Sequence, residues 1–126
     1  KALAFVQSFD YDEWCTALRK HLGSSAERMI ALERSEQKYN KATHPKRLER
    51  ILEHWNDICT IVREELPSFE ELSKLYDTLG LPKTPEDVEQ STALMPLTFG
   101  ATRDIRDKYV LSRLCWDLGI TSKEVL

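Results

Sequence analysis

Between Leu48 and Leu66, the apolar residues Leu48, Ile51, Leu52, Trp55, Ile58, Cys59, Val62 and Leu66 recur at gaps of three and four. Arg50, Glu53, Asp57, Arg63 and Glu64 fill the positions between them. This period predicts an amphipathic helix of about five turns rather than a strand. Pro45 suits its first turn, where a missing N–H costs nothing, and Pro67 lies just past its end. A helix with one long apolar face is stable only against other apolar surface, so this run commits the chain to helix packing.

The flanking segments carry start and stop signals for further helices. Asp10 with Glu13, Ser24 with Glu27 and Ser68 with Glu71 each have capping-box spacing, and Gly23 and Gly80 read as stops. The inward faces predicted are Tyr11, Trp14, Leu18 and Leu22; then Met29, Ile30 and Leu32; then Phe69, Leu72, Leu75, Tyr76 and Leu79. Thr84 and Pro85 open a helix of about one turn. Pro96 delays any helix in the less regular stretch 91–100. A last strong helix carries Val110, Leu111, Leu114, Cys115 and Leu118, with Gly119 as its stop and Thr121 able to cap a final turn. Ala2 to Val6 reads as the tail of a helix, and Arg34 to Thr43 as a polar loop. The expected architecture is all-α: one bundle-like domain of six or seven helices spanning residues 1–126.

Charge narrows the function classes. A net charge of −3 and a pI near 5.7 disfavour nucleic acid and anionic membranes as partners, since both need a basic face. No apolar run approaches the roughly 20 residues that span a bilayer, and no signal-peptide pattern is present. Cys15, Cys59 and Cys115 are odd in number, widely spaced and set among apolar residues, which reads as reduced core thiols in a cytoplasmic protein. A first residue other than Met reads as a fragment or a processed chain.

The chain lacks the patterns of a self-sufficient catalyst. His21, His44 and His54 do not group with cysteines at zinc spacings. Glu53 and Asp57 share a helix face, with His54 expected to point elsewhere; this reads as a solvated surface. Four isolated glycines build neither a dinucleotide fingerprint nor a P-loop. The segment Thr102-Arg103-Asp104-Ile105-Arg106-Asp107-Lys108-Tyr109 stands out for its charge density. It reads either as a helix end with surface ion pairs or as a polar rim where Arg103, Arg106 or Lys108 meets an anionic group such as phosphate. Trp116 to Val125 has the outline of a helix-turn-helix, without the length or basic charge for a recognition helix.

The stretch Ala101-Thr102-Arg103-Asp104-Ile105-Arg106-Asp107-Lys108-Tyr109-Val110-Leu111, running into Leu114-Cys115-Trp116-Asp117-Leu118-Gly119, resembles the C-terminal end of bacterial glycerol-1-phosphate dehydrogenases. Leu48 to Trp55 resembles the long helix of that family's C-terminal domain, and Leu79 to Asp87 a turn common to the wider iron-containing alcohol dehydrogenase superfamily. The resemblance covers about Leu48 to Ile120. It implies a dehydroquinate synthase-like C-terminal helical domain, the metal- and substrate-side part of a two-domain cytoplasmic enzyme, and it suggests a homodimeric parent. That parent would interconvert dihydroxyacetone phosphate and sn-glycerol 1-phosphate, using NAD(P) and a divalent metal that acts as a Lewis acid. This sequence contains neither the nucleotide-binding domain, which would be the fragment's natural partner, nor the family's metal-binding His motifs. No catalytic residue, metal ligand or cofactor contact therefore transfers to it. The chain alone is expected to bind no cofactor and to be inactive, with Arg103, Arg106 and Lys108 as substrate-side candidates. The rival readings are a free-standing helical interaction module and a DNA-binding helix-turn-helix.

Overall fold

The first helix, α1 (Ala2–Ser8), leads into α2 (Tyr11–Leu22). The Asp10 carboxylate caps α2 by accepting from the backbone N–H groups of Asp12 and Glu13, both at 2.9 Å, and Gly23 ends it. After Ser24 the chain turns into α3 (Ser25–Glu36), which packs on α2. The Ser24 side chain makes no capping bond, contrary to its spacing. Glu27 pairs instead with Arg19 across the α2–α3 turn, at 2.6 Å, so the carboxylate a capping box needs is taken. α3 also runs into the stretch expected to be a loop, ending where Gln37 takes a left-handed conformation (φ 51°).

The run expected as one long helix is two, α4 (His44–Glu53) and α5 (Trp55–Glu65). His54 separates them with φ −101° and ψ 17°, outside helical geometry, while the hydrogen bonds from His54 N to Arg50 O and from Ile58 N to His54 O carry the chain through. α6 (Phe69–Leu79) follows, then 3₁₀ turns at Glu86–Val88 and Thr92–Leu94, α7 (Met95–Ala101), α8 (Leu111–Asp117) and α9 (Ser122–Val125). The computed structural model describes residues 1–125, and every regular element among them is helical. There are more and shorter helices than the six or seven expected, because breaks such as His54 carry no proline or glycine signal.

Contacts divide the chain into two units. The first comprises Lys1–Leu48 and the chain from Pro96 onward. Its core has two clusters. One gathers Cys15, Leu18, Ala26, Met29, Ile30 and Ala101, and the other Val6, Tyr39 and Trp116; Tyr11 and Trp14 pack against both. Tyr39 stacks on Phe9 at 5.0 Å and meets Trp116 edge-on at 5.0 Å, arrangements favoured by ring quadrupoles. α1 packs on α8, and just past α8 it meets Gly119, where a Cβ would lie 2.8 Å from the Ala2 Cα and φ is +68°. Only glycine meets both conditions there.

α8 corrects the expected face of the last helix. Leu111 is exposed, and the buried residues are Ser112, Arg113, Cys115, Trp116 and Asp117. Hydrophobic periodicity misjudges this short helix because its charged side chains find partners inside.

The second unit, Glu49–Met95, carries a full capping box at α6. Ser68 Oγ accepts from Glu71 N, and the Glu71 carboxylate accepts from Ser68 N. Asp87 accepts from the N–H groups of Lys83 and Thr84, and Lys83 Nζ pairs with Asp77 on α6 at 2.6 Å. The apolar face expected to be buried on α6 is exposed at Phe69, Leu72, Leu75, Tyr76 and Leu79, as are Trp55, Ile61 and Val62 on α5. Amphipathic spacing specifies a face but does not supply the surface that covers it.

Candidate functional site

The charged segment 102–109 leaves helical structure after α7. Hydrogen bonds from Arg103 N to Gly100 O and from Asp104 N to Ala101 O fold it into a tight turn. This turn sends Asp104 into the first unit, where it is 2% exposed. A carboxylate cannot be buried without donors, and here two groups meet the need. Trp14 Nε1–H donates to Oδ2 at 2.7 Å, and the Tyr39 hydroxyl lies 2.9 Å from both oxygens. The Tyr39 oxygen in turn accepts from Arg103 Nε at 2.6 Å. Arg103, Tyr39, Asp104 and Trp14 thus form one relay, with a cation at one end and an anion at the other.

Arg103 is held twice over. Its guanidinium lies 4.5 Å from the centroid of the Trp14 ring, in addition to the bond through Nε. Among the described residues, its two terminal nitrogens have no hydrogen-bond partner. Arg103 is one of the residues lining a cavity of about 250 Å³ within the first unit. Phe5, Phe9, Trp14, Phe99 and Ile120 form much of its wall, and Ser112, Thr121 and Ser122 are also among its lining residues. Gly100 permits this shape, since a Cβ there would stand 2.9 Å from the Trp14 ring.

Behind the relay lies a second buried pair. Glu33 accepts from Tyr39 N–H at 3.0 Å, and Arg113, 1% exposed, reaches it at 3.4 Å. Arg113 also lies over the Tyr39 ring at 4.3 Å. Among the described residues its buried Nε and Nη1 have no partner. Burial pushes the Glu33 carboxyl above its ordinary value, only partly offset by Arg113 and the Tyr39 N–H. Burial likewise raises the Tyr39 phenol well above its usual range.

A third cluster surrounds Asp117, which is fully buried. Its carboxylate takes Arg47 Nε at 3.0 Å, Arg47 Nη2 at 2.8 Å and the Tyr109 hydroxyl at 2.7 Å. His44 Nε2 lies 2.9 Å from the Asp117 carbonyl, which can only accept, so Nε2 carries a proton. Burial and the bond to Asp117 raise the Tyr109 phenol. This cluster ties α4 and the 102–109 segment to α8.

Of the three substrate-side candidates, Arg103 lines the cavity described above. Arg106 and Lys108 are exposed, and the Arg106 carbonyl accepts from Lys38 Nζ at 2.9 Å. His54, expected to point away from Asp57, pairs with it at 3.3 Å; both remain exposed. Cys15, Cys59 and Cys115 are free thiols. Among the described residues, no three His, Cys, Asp or Glu side chains are grouped so as to hold a metal ion, and no helix is long and apolar enough to cross a membrane.

Sequence reasoning missed Tyr39, because the stretch containing it read as a polar loop, and it missed Glu33, Arg113 and Asp117, because charged helix positions default to solvent. One signal was available: Arg113 and Asp117 stand four apart, flanking Trp116 on a short helix. Comparison with protein-family models, with curated proteins and with solved structures finds no match.

Proposed function

We propose that this chain is the C-terminal helical part of a glycerol-1-phosphate dehydrogenase-like oxidoreductase, of dehydroquinate synthase-like fold, in which Arg103 meets the anionic group of the substrate. One observation carries the site assignment. Arg103 is fixed by Tyr39 and Trp14 and lines a cavity. A preordered guanidinium edge matches the geometry of a phosphate or carboxylate and loses little entropy on binding one. The resemblance of Ala101 to Gly119 supports the family reading.

Among the described residues no three His, Cys, Asp or Glu side chains are grouped to hold the metal that the resemblance implies, and Gly23, Gly80, Gly100 and Gly119 stand too far apart to build a nucleotide cradle. No step is derived through either group, and the role proposed for this chain is to hold substrate. Titrating the chain with sn-glycerol 1-phosphate, with glycerol as control, tests this by NMR. Shifts at the Arg103 Nε–H and Trp14 indole N–H are expected with the phosphate alone and are lost in Arg103→Ala. Equal responses to glycerol and its phosphate would overturn the assignment. Mixing the chain with NADH and dihydroxyacetone phosphate should give no turnover.

The interaction-module reading draws on a separate observation, the exposed apolar residues of α5 and α6. It predicts that α5 and α6 respond to a partner while the Arg103 resonances stay unmoved.

A further inference from the structure

The wall of the Arg103 cavity carries more than an anion contact. Aromatic and aliphatic side chains make up much of it: Phe5, Phe9, Trp14, Phe99 and Ile120. A bare phosphate or a small polyol phosphate uses none of that surface, and apolar wall left wet contributes nothing to affinity. Size points the same way. An apolar cavity of about 150 Å³ accommodates benzene, and this one is about 250 Å³. There is room for an aromatic ring or a branched acyl group together with one oxyanion. Arg103 is also the only cation among the residues lining the cavity, so a single anionic group is matched. Asp104, joined to Arg103 through the Tyr39 hydroxyl, leaves little local charge to hold a second.

We propose that this cavity binds an amphipathic organic anion, with one terminal carboxylate or phosphate on the Arg103 guanidinium edge and an apolar, preferably flat body against Phe9, Trp14 and Phe99. The proposal rests on Arg103 as an anion contact but not on the oxidoreductase reading. It goes further by assigning a ligand class that a three-carbon phosphate does not exhaust. Such a ligand would compete with any smaller anion at the same guanidinium. Thr121 and Ser122 lie on the lining as well.

The test compares phenyl phosphate, benzoate, inorganic phosphate and benzyl alcohol on the native chain, Arg103→Gln and Phe99→Ala, with far-UV circular dichroism as the check on folding. Affinities come from calorimetry, and the site is identified by the Trp14 indole N–H resonance. Phenyl phosphate or benzoate, or both, should bind at least ten-fold more tightly than inorganic phosphate; whichever is tighter identifies the anionic group. Arg103→Gln should weaken that ligand ten-fold or more. Phe99→Ala should weaken it several-fold and leave inorganic phosphate unchanged, which keeps the proposal testable if the Arg103 variant does not fold. Phenyl phosphate, benzoate and inorganic phosphate binding equally would overturn the amphipathic ligand and leave Arg103 as an anion contact. Benzyl alcohol binding as tightly as the anions, or no anion binding at all, would overturn both.

Discussion

Asp117 and Glu33 are both buried carboxylates, but their surroundings set them opposite tasks. Asp117 receives Arg47 through Nε and Nη2 as well as the Tyr109 hydroxyl. Removing one member of such a buried pair strands the other. Asp117→Asn keeps the shape and removes the charge, so it should destabilise the first unit by about 3 kcal/mol, read from urea unfolding. A loss below about 0.5 kcal/mol would mean that Arg47 finds solvent at no cost. Glu33 has a poorer partner, since Arg113 is 3.4 Å away and burial dominates, raising its carboxyl pKa on folding. The folded state therefore holds a proton that the unfolded state releases, over the pH range between the ordinary carboxylate value and the raised one. Stability from this group is fully present below the ordinary value and is lost as pH rises through the raised value. The stability of the native chain relative to Glu33→Gln should therefore grow as pH is lowered through that range. A difference that stays flat, or shrinks on acidification, would contradict the burial of Glu33. Arg113, Asp104, Lys38 and Tyr39 all act on this carboxyl, so the comparison with Glu33→Gln is needed to isolate it.

At the scale of elements, Ser24 and Ser68 have the same spacing to a glutamate and read identically in the sequence. Only Ser68 makes the reciprocal bonds. Ser68→Ala should cost about 1 kcal/mol and raise amide exchange in the first turn of α6, whereas Ser24→Ala should fall within about 0.5 kcal/mol of the native chain. Equal losses at the two positions would show that Ser24 caps α3 after all. The contrast shows what is legible. Helix existence and approximate position followed from apolar period and turn residues, both local. Whether a cap forms depends on competition, here from Arg19, which sits eight residues from Glu27 and enters through packing. The same limit applies to the candidate site. Arg103 stood out because its segment is dense in charge, and it is one of the residues lining the cavity. Tyr39, which holds Arg103, is 64 residues away in sequence, and no local pattern joins them. Arg106 and Lys108 carried the same local signal as Arg103, yet the turn after α7 leaves them exposed.

Across the whole molecule, apolar burial is unevenly shared. The two hydrophobic clusters lie in the first unit, around Leu18, Ile30 and Trp116, while α5 and α6 contain no buried residue. Because apolar burial is the main favourable term in folding, the free energy of local opening should follow the same division. Native-state hydrogen exchange tests this directly. Amides in α2 and α3 should open only with the global unfolding of the first unit, whereas those in α5 and α6 should exchange through smaller openings, at least ten-fold less protected. Urea should distinguish the two classes, since openings that expose little surface depend weakly on denaturant. Equal protection in α6 and α2 at low protein concentration would mean that the apolar face of α6 is covered. Protection of α6 that rises with protein concentration would instead show copies of the chain supplying that cover to one another, since association stabilises by mass action. The outcome also bears on the binding experiments. Arg103, Trp14 and Tyr39 all belong to the well-packed unit, so the cavity should keep its shape and its anion contact under conditions in which α5 and α6 already exchange freely.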